Sequence, residues 1–390
     1  MPILERASSK RRSRAADFLA VLLLLVIVAG AGWLWWHEKH PAKTSRRRAA
    51  PVVQTVKKPQ PNPSVLPSPS LVEKRTEPPV EKPGPGPAVV SANAPALLPA
   101  RPAEFFRPVR SPLEAQIALA RRVISPGSID GAFGSQTRAA IAAFQRSQKL
   151  FESRALDTNI RTLLALGVPL LTDYVVTTND LARLQPLGKT WLAKSQQSAL
   201  DYETVLELVA EKAHAHPGLI QKLNPEVNWT GVTAGTILKI PDVDYPEPDG
   251  KAAFVVIHLS GKFLEAFGTE TNLLAHFPCS IAAKVEKRPV GELHVVVIAP
   301  NPNYTVNPEL FPESAELQAL GHKLVLPPGP NNPVGVAWIG LDKPGYGMHG
   351  TPSPEQIGHT ASHGCFRLAN WDAEYLVKLV WIGMPVEVVP

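Results

Sequence analysis

Two short stretches, Met348-His349-Gly350-Thr351 and Ser362-His363-Gly364-Cys365-Phe366-Arg367, set one cysteine two residues after a histidine and sixteen after another. A thiol at pH 7 is mostly protonated and becomes a nucleophile when a neighbouring imidazole takes its proton. His349 and His363 are the two candidates. Gly364 carries no side chain, so the backbone amides of Gly364 and Cys365 would face a developing oxyanion without obstruction. That equipment suits acyl transfer. If the segment is extended, His363 and Cys365 project to the same side, and a turn at Gly364 would break the relation.

The same residues admit two other readings. Free cysteines are commonly buried, and on the Cys-x-His spacing alone a structural cysteine is the preferred account. His349, His359, His363 and Cys365 are also all possible zinc ligands, but none of the paired spacings typical of zinc sites is present.

The wider pattern changes the balance. His349-Gly350-Thr351, Ile357-Gly358 and Ser362-His363-Gly364-Cys365-Phe366-Arg367-Leu368 closely resemble, in order and spacing, the signature of L,D-transpeptidase catalytic domains of the YkuD type. Leu326-Pro327-Pro328-Gly329-Pro330-Asn331-Asn332-Pro333-Val334-Gly335 resembles that family's proline-glycine segment, and the likeness spans about residues 250–389. The resemblance implies a β-rich domain with Cys365 on a loop beside a groove. It implies Cys365 as nucleophile, His349 as general base and His363 as a supporting residue. Gly364 and Ser362 would form the oxyanion loop, and Arg367, Tyr346 and Gly350 the substrate side. A guanidinium is a ready partner for a carboxylate, although a structural ion pair would serve Arg367 equally well. No metal and no organic cofactor is required. The implied reaction is acyl transfer from a tetrapeptide stem of peptidoglycan to an amine. Water as acceptor would make the enzyme an L,D-carboxypeptidase or related hydrolase, and an oxidised thiol would leave a non-catalytic wall-binding protein.

Two departures stand out. The family often has Thr-Pro-x-Gly where this chain has Arg288-Pro289-Val290-Gly291, which keeps the turn and loses the threonine. Cys279 occupies a position usually aliphatic and reads as a small packed hydrophobe. Export would still put both thiols where disulfides form, and a bond between Cys279 and Cys365 would disable the nucleophile. Both are expected to be free.

The elements that must deliver this site are several, because 390 residues exceed one ordinary domain. The net charge of +6 is modest, with basic runs at Lys10-Arg11-Arg12-Ser13-Arg14 and Arg46-Arg47-Arg48. Between them Phe18–Trp36 holds no charged side chain and closes on Trp33, Trp35 and Trp36. That is long enough to cross a bilayer core, with the tryptophans suited to an interfacial belt. Membrane flanks therefore explain the basic runs more simply than nucleic-acid binding, and no nucleic acid is expected. Residues 1–17 read as a cytoplasmic tail and 18–36 as an uncleaved single-pass anchor. A cleaved signal peptide fits less well because the aromatic cluster is a poor cleavage context. The catalytic domain would then lie in the periplasm or outside the cell.

From 41 to 110 proline recurs among Lys, Arg, Ser, Val and Ala, and such a segment cannot build a core. It reads as a disordered spacer, averaging about 45 Å end to end as a flexible coil. Over 111–168, helical spacing in Leu113–Val123 and Thr137–Phe144 flanks Asp130-Gly131-Ala132-Phe133-Gly134. This resembles a three-helix peptidoglycan-binding module, with Phe133, Ile141 and Phe144 as core. Over 174–242 a helix from Glu203 to Ala213 is interrupted by His216-Pro217 and followed by a second from Leu219 to Leu223. Leu223-Asn224-Pro225 and Ala234-Gly235-Thr236-Ile237-Leu238-Lys239-Ile240-Pro241 then resemble a degenerate LysM module, a glycan-binding type. Paired strands at Phe254–Leu259 and Lys262–Phe267, further strands at Leu293–Ile298 and Val386–Val389, and one helix from Asn370 to Val380 complete the chain. The expected fold class is multidomain: a transmembrane helix, a small all-α three-helix module, a small α+β LysM-like module and a mostly β catalytic domain. Peptidoglycan stems and glycan are the expected partners, with the membrane engaged through the N-terminal helix.

Overall fold

The computed structural model describes residues 107–360, 362 and 364–390. The tail, the anchor expected over 18–36, most of the proline-rich linker and His363 lie outside the described residues. Among the described residues no helix is long and apolar enough to cross a membrane.

Three helices open the described chain: α1 (Pro112–Ala120), α2 (Ser135–Ser147) and α3 (Thr158–Leu163). Ser111 caps α1 by accepting from Glu114 N, with Pro112 in the first turn where its missing N–H costs nothing. Their apolar faces close on Leu119, Ile141, Phe144, Ile160 and Leu164. Phe133 only packs against the edge of that core, under the Arg138 guanidinium. The linker expected to run through Arg110 ends sooner. Arg107 exchanges backbone hydrogen bonds with Leu166 and pairs with Glu114, and Val109 is buried.

The next elements are β1 (Leu171–Val175), α4 (Thr178–Ala182), α5 (Trp191–Ser195), α6 (Val205–Lys212), α7 (Pro217–Leu223) and β2 (Ile237–Pro241). β1 and β2 pair antiparallel. α6 stops at Lys212, before a left-handed His214, and His216-Pro217 starts the next helix, since Pro217 sits at the first position and His216 Nδ1 accepts from Gly218 N. Asn224 ties α7 to β2, its amide donating to Ile220 O and Lys239 O and accepting from Lys239 N.

The remaining strands are β3 (Phe254–His258), β4 (Phe263–Phe267), β5 (Leu273–Pro278), β6 (Gly291–Pro300), β7 (Tyr304–Val306), β8 (Leu324–Leu326), β9 (Ala337–Leu341), β10 (Gly347–His349), β11 (Phe366–Arg367) and β12 (Pro385–Val389). Helix α8 (Ala315–Leu320) lies between β7 and β8, and α9 (Asn370–Leu379) precedes β12. Eight strands form one sheet in the order β11-β10-β9-β6-β12-β3-β4-β5, parallel only at β10–β11 and β3–β12. The chain after β5 then returns to the opposite edge. Ser280 exchanges backbone hydrogen bonds with Arg367, and Ser362 N donates to Ile281 O, so the two edges meet beside Cys365. The core holds Phe277, Phe366, Ile339, Leu376 and Met384, each worth about 1.5–3 kcal/mol by burial.

This β-rich domain does not stand alone. β7, α8 and β8 share a small core with Leu200, against which Trp191 of α5 packs. Glu316 of α8 caps α5 by accepting from Trp191 N and Leu192 N at 3.1 and 2.9 Å. Leu200 N also donates to Pro328 O, and Asn331 N donates to Leu200 O. Between those bonds Gly329 has φ +139°, and a Cβ there would lie 2.2 Å from Leu200 O, so only glycine fits.

Candidate active site

The register of the short parallel pair places the functional side chains. Met348 lies opposite Phe366 and His349 opposite Arg367. Met348 and Phe366 are buried in the core, so their strand neighbours His349 and Arg367 share the other face. Cys365 immediately precedes β11, in a bend rather than a strand. His349, Cys365, Arg367, Ser362 and Gly364 all line one cavity of about 310 Å³.

His349 is buried and stacks on Trp338, ring centroids 5.6 Å apart. Its Nδ1 lies 2.7 Å from Gly350 O. A carbonyl only accepts, so Nδ1 carries the hydrogen and a neutral imidazole presents Nε2 with its lone pair. Burial pushes the His349 pKa down to about 4, and the nearby Arg367 charge adds to that effect. The ring is neutral at pH 7. Burial likewise pushes the Cys365 thiol up to about 11, with a Gly347 backbone hydrogen bond and Arg367 acting against it. Its Sγ–H donates to Gly345 O at 3.4 Å. The resting pair is therefore thiol and imidazole rather than thiolate and imidazolium.

The cysteine loop is tied by Ser362. Its hydroxyl donates to Cys365 O and accepts from Gly364 N at 3.3 Å. The Gly364 amide, expected to be open to an oxyanion, is thus engaged within its own loop. Tyr346 is not part of the cavity wall, but its ring runs alongside Gly364, where a Cβ would meet it at 3.8 Å. Gly350 is not among the residues that line this cavity either. It is buried, and a Cβ there would sit 2.3 Å from Asn370 Oδ1. Its part is to offer the carbonyl that holds His349. His363 lies outside the described residues, and His359 is exposed. Among the described residues no group of three or more His, Cys, Asp or Glu side chains is placed to hold a metal.

Several wall residues carry no local signal in the sequence. Trp191 comes from α5, far upstream, while Tyr304, Leu310 and Phe311 come from the β7–β8 excursion. Only the three-dimensional return of these segments brings them to the cysteine. Asn370 is different. Buried at the start of α9, it accepts from Thr351 N at 3.0 Å and Val336 N at 3.3 Å through Oδ1. It stands three residues after Arg367, and its nearness to the motif is the signal that could have found it.

Residues 252–388 match the L,D-transpeptidase catalytic domain family, YkuD, and residues 111–157 match a family described as "Putative peptidoglycan binding domain". The C-terminal domain is an L,D-transpeptidase catalytic domain. A Bacillus licheniformis protein described as "Putative L,D-transpeptidase YkuD" is 27% identical over 188 residues, covering 48% of this chain and 94% of its own length. "Probable L,D-transpeptidase YbiS" of Escherichia coli K12 is 30% identical over 171 residues, 43% of this chain and 54% of its own. A solved L,D-transpeptidase from Mycobacterium smegmatis is a distant likeness, 18% identical with a TM-score of 0.28 over 40% of this chain and 75% of that one. Within this transpeptidase domain the Arg288-Pro289-Val290-Gly291 variant leads into β6 at Gly291, whose φ of +100° needs glycine.

Proposed function

We propose that this chain is a peptidoglycan L,D-transpeptidase that cross-links tetrapeptide stems through a thioester on Cys365. The observation that carries the reading is the bond from His349 Nδ1–H to Gly350 O, which leaves Nε2 as a base in the same cavity as the Cys365 thiol. Because thiol and imidazole both rest neutral, proton transfer accompanies attack rather than preceding it. Sγ bonds to the carbonyl carbon of the third stem residue as its proton passes to Nε2. The C–N bond to the terminal D-amino acid then breaks, and His349 returns the proton to the departing amine. An amine of a second stem attacks the thioester, gives its proton to Nε2, and releases the thiol.

Arg367, half-buried on the same face, supplies the charge that orients a stem carboxylate. Ser362 holds the loop, and Gly364 lends its amide to the oxyanion once it leaves Ser362. Tyr346 packs beside Gly364 of the loop, and His363 is read as a supporting residue. The three-helix module over 111–168 tethers the domain to the wall, in line with its family match over 111–157. The segment 174–242 is read as a LysM-like glycan binder, because its antiparallel strands enclose the helix pair α6–α7 stitched by Asn224. The segment α4–α5 is an addition to that plan. The stretch 18–36 is read as the anchor that keeps the enzyme at the cytoplasmic membrane with its site outside.

Intact-mass spectrometry of the protein with a disaccharide-tetrapeptide, and separately with a carbapenem, tests the reading. An adduct is expected on the wild type and not on Cys365→Ala. Cross-linked products would establish transfer to an amine, whereas released free tripeptide would move the assignment to hydrolysis. A wild type that stays unmodified with both thiols free would refute the enzyme.

A further inference from the structure

Glu211 belongs to α6, outside the transpeptidase domain, yet its half-buried carboxylate faces that domain. Asn370 Nδ2 donates to both of its oxygens, at 3.1 and 3.0 Å, and Tyr202 OH donates to Oε1 at 3.2 Å. Taking a carboxyl even partly out of water is costly unless it is hydrogen-bonded. Here two of the three bonds come from one side-chain amide. That amide has two ends, and nothing in its shape decides which is oxygen. Glu211 decides it together with Pro330 O, which also accepts from Nδ2 at 3.2 Å, because a carboxylate only accepts and a protonated carboxyl still keeps an accepting oxygen. The NH₂ must face Glu211, so Oδ1 must face Thr351 N and Val336 N.

The next link is covalent. Thr351 N–H and Gly350 C=O belong to the same planar peptide unit. Asn370 Oδ1 holds its N–H end, and His349 Nδ1–H is bound to its C=O end. A rotation of that plane would take the acceptor away from His349. Gly350 and Gly335 give the plane no slack, since a Cβ on either would fall within 2.3 Å of Asn370 Oδ1.

We infer that Glu211 is a positioning residue for the acyl transfer: from the neighbouring module it supplies two of the three acceptor contacts that set the Asn370 amide, and through the Gly350–Thr351 peptide it keeps His349 with its hydrogen on Nδ1 and Nε2 free. The middle module is then part of the catalytic apparatus as well as a spacer. This rests on the transpeptidase reading for its rate measurement, but not for its tautomer measurement.

The test compares the full wild-type chain with Glu211→Ala, Glu211→Gln and Glu211→Leu. One readout is single-turnover acylation of Cys365 by a disaccharide-tetrapeptide. The other is the imidazole ¹⁵N spectrum, with the His349 signals assigned by their loss in His349→Gln. Glu211→Ala and Glu211→Leu are expected to slow acylation at saturating substrate by about tenfold to a hundredfold, with half-saturation within about twofold. The His349 spectrum should shift from the pure Nδ1–H form to a mixture. Glu211→Gln keeps an accepting oxygen and should restore the rate to within about threefold and restore the tautomer. Wild-type tautomer and rate in Glu211→Leu would overturn the inference, as would a Glu211→Gln that falls as far as Glu211→Leu. If the wild type itself is not acylated, the transpeptidase reading fails, while the ¹⁵N spectra still decide the role of Glu211.

Discussion

The two cysteines are a comparison built into one fold. Cys279 follows β5 at one edge of the sheet and is fully buried in the main core beside Phe277 and Ile281. Cys365 precedes β11 at the other edge, partly buried on the cavity wall. The return of Ser280–Ala282 onto Arg367 and Ser362 joins those edges, and both thiols are free in the structure. Burial raises both, Cys279 to about 12 and Cys365 to about 11. Thiol acidity at rest therefore does not separate them. What separates them is company: Cys365 shares a solvent-reaching cavity with a neutral imidazole of defined tautomer and a guanidinium, whereas Cys279 has apolar neighbours.

The largest effect that would sharpen this contrast is loss of the nucleophile. Cys365→Ala should abolish acylation, while Cys279→Ala should leave its rate within about threefold, both read by intact mass. Acylation surviving in the first variant, or lost in a folded second one, would break the contrast. Next comes the base. His349→Gln should slow acylation by about 10²–10⁴-fold at pH 7 while leaving the cavity walls in place, as single-turnover kinetics would show.

A pH comparison follows. Desolvation holds His349 and His214 down to about 4 and about 3, so between those values and the usual histidine range the unfolded chain binds more protons. Their contribution to stability therefore grows as pH rises from about 4 to 6.5 and is lost on acidification. Asp372 works the other way. Buried with Tyr245 and Ser125 on its oxygens, it is pushed up to about 7, keeps its proton when folded and costs stability as pH rises toward 7. Asp372→Asn should therefore gain stability between pH 4.5 and 7, relative to the wild type, by on the order of 2 kcal/mol. Denaturant melts at the two pH values measure it, and a parallel pair of slopes would contradict the assignment. The smallest effect concerns the core thiol. Cys279→Ser buries a hydroxyl among apolar side chains and should cost about 1–3 kcal/mol by the same melts, with acylation unchanged.

Much of the catalytic edge is legible in the residues themselves. His349, Ser362, Gly364, Cys365 and Arg367 are close in sequence and carry a dense motif, and the cavity gathers all five. The hairpin of β3 and β4 follows from alternating apolar residues around Ser260-Gly261, and α9 ends within a residue of its expected limit. For Gly350 the motif does not say which side of its peptide plane does what, and the structure shows its carbonyl on His349 Nδ1. The helix expected over 113–123 stops at Ala120, where Val123 takes a left-handed φ of +58° so that its carbonyl can receive His276 N.

The sequence by itself pointed to the thiol, the candidate base and the two domains that the family matches cover, because these depend on residue types at short spacing and on apolar periodicity. Tertiary structure alone decided that Trp191 walls the cavity, that Ser280 meets Arg367 and that Glu211 holds Asn370. Each of those contacts joins residues far apart in the chain. Local pattern constrains backbone conformation within a few residues, and only the packing of whole elements sets which distant side chains share a buried hydrogen bond.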